Sequence, residues 1–141
     1  MKAKIAWRIA SGLTLFFGLA HTAGMFSPSH GSPEEDALVA SMKSFHFVVM
    51  GSSRSYWDYL FGFGLLLTAS LLFLGVLSWQ LGNLSETEPA LARRLGWPLL
   101  LLQLAIALLC LRYFFLAPTL TSAGAAIATA LALRARERPT S

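Results

Sequence analysis

Hydrophobic residues in this chain gather into long, nearly unbroken runs instead of alternating with polar ones, and a bilayer core takes roughly 20 mostly apolar residues per helix. Four runs meet that length: about Ile5 to Phe26, Tyr56 to Trp79, Gly96 to Phe115 and Thr119 to Leu133. The first opens on Lys2, Lys4 and Arg8 and continues through Leu13, Leu15, Phe16, Phe17 and Leu19. A signal peptide opens in the same way, with Ala20 and Ala23 as small residues near a cleavage point. The run is read as a retained span, because cleavage would leave an odd number of spans and a different arrangement of flanking charge.

The second run opens on Tyr56, Trp57 and Tyr59 and closes on Trp79, which matches aromatic belts at both membrane faces. The third begins at Trp97-Pro98, where proline is harmless in a first helical turn, and contains the dense stretch Leu99 to Leu102. Pro118 marks a break before the fourth, which is shorter and rich in alanine. The predicted fold is therefore all-α: a transmembrane four-helix bundle forming a single integral membrane domain over residues 1–141.

The connection between the first two runs has its own pattern. Ser32, Pro33 and Glu35 spell a helix start, with a capping serine, proline at the first helical position and a glutamate reaching back. Leu38, Met42, Phe45 and Val49 then recur at helical spacing. This predicts a short extracytoplasmic amphipathic helix whose apolar stripe lies on the membrane surface or over the bundle mouth.

Composition agrees with lipid as the solvent. Of 141 residues, 55% are hydrophobic and 13% charged, and the mean hydropathy is +0.60. A net charge of +4 raises the question of nucleic-acid binding, yet the basic residues flank apolar runs and form no polar-interleaved stripe, so no nucleic-acid partner is expected. They read as orienting charges. Lys2, Lys4, Arg8, Arg93, Arg94, Arg134, Arg136 and Arg138 fall on one side, and Lys43, Arg54 and Arg112 on the other, a split of eight to three among the 11 lysines and arginines. The positive-inside rule then predicts a multi-pass membrane protein with both termini and the Gln80 to Leu95 connection in the cytoplasm. The single cysteine, Cys110, lies in a leucine-rich run and reads as a small buried hydrophobe.

An ionisable side chain within lipid costs about 2.5 to 3.5 kcal/mol on insertion scales, so each one near a span needs a reason. Here they collect toward the outer side. His21 lies near the end of the first span, Arg54 and Asp58 at the start of the second, and Arg112 with Tyr113 near the end of the third, with Thr119, Thr121 and Ser122 at the same level of the fourth. Arg54 and Asp58, four apart, would share one helical face continuing through Gly62, Leu65 and Ala69. His21, Arg54, Asp58, Arg112 and Tyr113 are the ligand-binding candidates. Asp58 is expected to face the bundle interior and pair with a cation, preferably Arg112. The competing structural reading is an ion pair with hydrogen bonds that fix helix register while the arginines snorkel to water.

Metal and haem readings lack their patterns, because His21, His30 and His46 form no HxxxH, HExxH or Glu-x-x-His arrangement. No Walker loop, nucleophile elbow or GxGxxG is present either, so no cofactor is predicted and no catalytic residue is assigned. Gly124 and Ala128, with Ser122, Ala126 and Ala130, make small-xxx-small patterns suited to close packing within the bundle or against another subunit.

The motifs His21-Thr22-Ala23-Gly24, Met50-Gly51-Ser52-Ser53-Arg54-Ser55 leading into Asp58-Tyr59, Gly62-Phe63-Gly64, and Arg112-Tyr113-Phe114-Phe115 with Pro118 resemble those of an uncharacterised family of small bacterial four-helix integral membrane proteins, loosely similar to DoxX-like proteins. The resemblance covers nearly the whole chain. It implies a bacterial inner-membrane protein and supplies no catalytic residues; its DoxX-like side suggests sulfur or quinone-linked redox chemistry.

Two functional expectations follow. One is a binding or accessory protein whose outer polar layer receives a small amphipathic ligand or a membrane-protein partner. The alternative is a membrane enzyme or redox component acting on a quinone or lipid, with His21 and Asp58 exchanging protons and an arginine holding an anionic group. A transporter would show repeats or broken spans, and neither is evident.

Overall fold

The computed structural model describes residues 2–27 and 31–135. Its elements run α1 (Ala3–Phe26), α2 (Pro33–Ser44), β1 (His46–Val49), β2 (Ser52–Ser55), α3 (Tyr56–Thr87), α4 (Pro89–Tyr113) and α5 (Leu116–Arg134). Four of the helices, α1, α3, α4 and α5, are long and apolar enough to cross a membrane. α1 packs on α3 and α5, and α4 packs on the same two, so the four close into an all-α bundle.

Many large side chains point outward, and the inner seams of α1 and α5 are rich in small ones. Phe16, Phe73, Leu108 and Leu131 are exposed, whereas the inner seam of α1 runs through Ala6, Ala10, Ser11, Thr14 and Gly18 and that of α5 through Ser122, Ala125, Ala128, Thr129 and Ala132. That is the arrangement expected in lipid, where outward leucine loses nothing and close backbone approach provides the attraction. The small-residue face of α5 thus packs inside the bundle. α1 and α3 approach closely where a Cβ added at Gly75 would lie 2.5 Å from Leu15 Cγ and 3.3 Å from its backbone nitrogen. Ser11 Oγ donates to the Gly75 carbonyl at 2.8 Å across the same contact. Near the termini Trp7, 1% exposed, fills the space between the helices in one apolar cluster with Leu81, Leu99 and Leu133. A smaller cluster of Phe17, Leu71 and Cys110 lies toward the other end.

The spans run further than hydropathy alone predicts. α3 has 32 residues, about 48 Å of helix against roughly 30 Å of hydrocarbon, and only Glu88 separates it from α4. The expected connection from Gln80 to Leu95 is therefore almost wholly helical. Nothing between Trp79 and Thr87 breaks a helix apart from Gly82, which instead lets Trp7 approach, its Cβ 3.2 Å from where a Cβ at Gly82 would lie. Pro89 occupies the first turn of α4, and Pro98, expected at a helix start, sits inside the helix.

The connection between α1 and α3 is half as expected. Ser32 caps α2, its hydroxyl accepting the Glu35 N–H at 3.3 Å, with Pro33 at the first position. The helix ends at Ser44, however, and the stripe breaks: Phe45 is the C-cap and Val49 lies in a strand. β1 and β2 form an antiparallel hairpin pairing His46 with Ser55 and Val49 with Ser52. Its turn places Met50 at φ 48° and Gly51 at φ 79°, the two consecutive positive-φ positions that match the right-handed twist of a tight hairpin. No residue of α2 is buried, and the helix packs on α3 and β2.

Candidate functional site

At the hairpin end, several polar residues of the spans are satisfied by nearby backbone. Ser55, 3% exposed, and Asp58 form a capping box at the start of α3. The Ser55 hydroxyl accepts the Asp58 N–H at 3.1 Å, and Asp58 Oδ2 accepts the Ser55 N–H at 2.8 Å. Asp58 is otherwise exposed and makes no ion pair with Arg112 or Arg54, which corrects the expectation of an inward carboxylate paired with Arg112. The physical reason is position: as the third residue of its helix, Asp58 has an orphan backbone donor within reach and no need of a distant cation. Arg54 is on β2, so the expected helical face shared with Asp58 does not form; its Nη1 donates to the Ser53 carbonyl at 2.7 Å.

Arg112 is exposed in the last turn of α4, its guanidinium carbon 5.2 Å from the centre of the exposed Tyr113 ring. Thr119, Thr121 and Ser122 each donate to carbonyls of the preceding turn, the local back-bonding these residues favour within helices. His21 joins two spans. It is half-buried, and Nε2 lies 3.2 Å from the Gly64 carbonyl, so the Nε2–H tautomer donates there. Thr22 Oγ1 donates to the Gly18 carbonyl at 2.8 Å and lies 3.0 Å from Thr68 Oγ1. Of the five candidates, then, His21 bridges α1 and α3, Asp58 caps a helix, and Arg54, Arg112 and Tyr113 face outward.

A ring of aromatic residues ties the hairpin to the start of α3. Phe45 stacks on Tyr56 at 5.7 Å, and Phe47 lies 5.0 Å from Tyr56 and 5.5 Å from Tyr59. Lys43 Nζ lies 4.7 Å from the centre of the Trp57 ring. Among the described residues no three His, Cys, Asp or Glu side chains gather closely enough to hold a metal ion.

One polar group escaped the sequence analysis. Gln103, on α4, is 3% exposed, and neither Nε2 nor Oε1 has a hydrogen-bond partner among the described residues. It lines a cavity to which every span contributes, including Thr14 from α1, Leu71 from α3, and Thr121, Ser122 and Ala125 from α5. An unmatched buried polar group costs about 1–3 kcal/mol. A signal was present in the sequence: Gln103 is the one amide or charged side chain between Pro98 and Arg112.

Neither family models, characterised proteins nor solved structures match this chain.

Proposed function

We propose that this chain is a binding or accessory membrane protein that engages an anionic group through the hairpin end of its bundle. Arg112 carries this reading. It stands exposed between Leu111 and Tyr113, with an aromatic ring beside it and no carboxylate among the described residues in an ion pair with it. An arginine at the edge of an apolar span gains most from a partner's carboxylate or a lipid phosphate, which its planar fork binds in bidentate fashion. The enzyme alternative has less behind it, because His21 is occupied by the Gly64 carbonyl and Asp58 by the Ser55 N–H. The split of positive charge supports cytoplasmic termini, with Arg112 on the outer face. The resemblance to small bacterial four-helix proteins supports an inner-membrane setting.

Native mass spectrometry of the protein released from membranes in mild detergent tests the proposal. The expected result is a stoichiometric partner protein or anionic lipid that Arg112→Gln loses and Arg54→Gln retains. Equal retention by both variants, or no retained species at all, overturns it.

A further inference from the structure

The β1–β2 hairpin carries apolar side chains that the bundle does not use. Val48 and Met50 are 73% and 100% exposed, and Val49 between them is exposed as well. Met50 also holds φ 48°, a conformation that glycine or asparagine adopts more readily than a long side chain. A single exposed apolar residue is ordinary, but three consecutive ones at a turn form a patch.

Ring contacts show which surface this patch adjoins. On α3, Phe61 and Gly64 face α1: the Phe61 and Phe26 ring centres are 5.5 Å apart, and the Gly64 carbonyl meets the His21 ring. Tyr59 and Phe63 each lie about half a turn round the helix from Phe61, and Phe63 is 64% exposed. This is a flank that a membrane span turns to lipid. Phe47 lies 5.5 Å from Tyr59, and Tyr59 lies 6.2 Å from Phe63, so the hairpin rests on the lipid-side flank of α3. β2 leads directly into Tyr56, at the level of the interfacial aromatic residues.

The two strands differ in chemistry. β1 is His46-Phe47-Val48-Val49, and β2 is Ser52-Ser53-Arg54-Ser55. Arg54 pairs opposite Phe47 and Lys43 stands over the Trp57 ring, while the Asp58 carboxylate is turned to the Ser55 N–H. An apolar side, a polar side and cations beside them match a segment lying in a membrane interface. Unpaired backbone groups along the hairpin's outer edges cannot be satisfied in hydrocarbon, which stops it at headgroup depth. We infer that the hairpin is an interfacial anchor: Val48, Val49 and Met50 enter the lipid leaflet beside α3 at the boundary of headgroups and acyl chains, with Arg54 and Lys43 among the lipid phosphates. These contacts are with the leaflet at large and not with one retained lipid, so they do not rest on the reading of Arg112.

The Met50 methyl group serves as the probe. Full-length protein carrying ¹³C-methyl methionine is placed in nanodiscs of phosphatidylcholine and phosphatidylglycerol, and Met50→Leu assigns the Met50 signal. Two relaxation agents are compared: a lipid with a nitroxide near the top of its acyl chain, and a water-soluble gadolinium chelate. The nitroxide lipid should broaden the Met50 signal more than the chelate does. Stronger broadening by the chelate would put the tip in water, as a surface for a soluble partner, and would overturn the inference. Val48→Glu, at an exposed position outside the core, should cut the nitroxide effect on Met50 several-fold and raise that of the chelate. An unchanged nitroxide effect would mean that α3 alone places the hairpin and that its tip has no hold on lipid, which also overturns the inference. Neither measurement involves Arg112, so failure here is distinguishable from failure of the proposed function.

Discussion

The guanidinium carbon of Arg8 on α1 lies 3.0 Å from the centre of the Trp79 ring on α3, while Nη2 donates to Asn83 Oδ1 at 2.6 Å. One turn further toward the termini, Lys4 Nζ meets the Glu86 carboxylate at 2.6 Å. Together they fasten the part of α3 that continues past its apolar span. Guanidinium stacking at an accessible site is worth about 0.5–1 kcal/mol, and an exposed ion pair about 0–1 kcal/mol. Arg8→Lys should therefore cost roughly 1 kcal/mol, because an ammonium reproduces neither the stack nor the fork. Lys4→Ala should cost less. Reversible unfolding in mixed micelles would rank them, and equal losses would mean that the stack contributes nothing.

Close helix approach predicts a second ranking. Gly75→Val should cost about 1–3 kcal/mol by forcing α1 away from α3, because the atoms that a Cβ would meet include the Leu15 backbone. Gly124→Ala should be far milder, since its added carbon meets only Leu13 Cδ1, at 3.1 Å. Leu131→Ala, on an exposed face, should change little in lipid. Unfolding followed by tryptophan fluorescence checks the order, and a Gly124 variant as damaging as Gly75→Val would relocate the tight seam to α5.

The capping box makes a third prediction. Ser55→Ala should cost about 1 kcal/mol by freeing the Asp58 N–H, whereas Asp58→Asn keeps an oxygen acceptor for the Ser55 N–H and should cost less. Because Asp58 and Arg112 make no ion pair, Asp58→Asn and Arg112→Gln should add independently in a double mutant. Partial recovery in that double mutant would show a coupling between them after all.

Orientation can be checked with reporters. Fusions after the last residue, before the first and near Glu88 should all report cytoplasm, while one near Glu35 should report the outside, as the distribution of lysine and arginine requires. Termini on opposite sides would defeat both the topology and the placement of Arg112 on the outer face.

Four spans and the start of α2 were legible in the chain by itself, for a strong physical reason. Lipid offers backbone groups no hydrogen bonds, so long apolar runs must become helices, and Ser32-Pro33 caps a helix through contacts only a few residues away. The hairpin was less legible, because its turn is Met50-Gly51 in place of the usual Asn-Gly, and its strands are four residues each. The extension of α3 to Thr87 needed Arg8, Lys4 and Trp7 brought alongside it from the far end of the sequence. Asp58 was read as a partner for a distant cation, yet a local backbone donor satisfied it first. Gln103 was buried only when α4 turned that one face toward α1 and α5. Helical periodicity says which residues share a face, but burial of a face depends on which neighbours close over it, and the tertiary structure alone decides that.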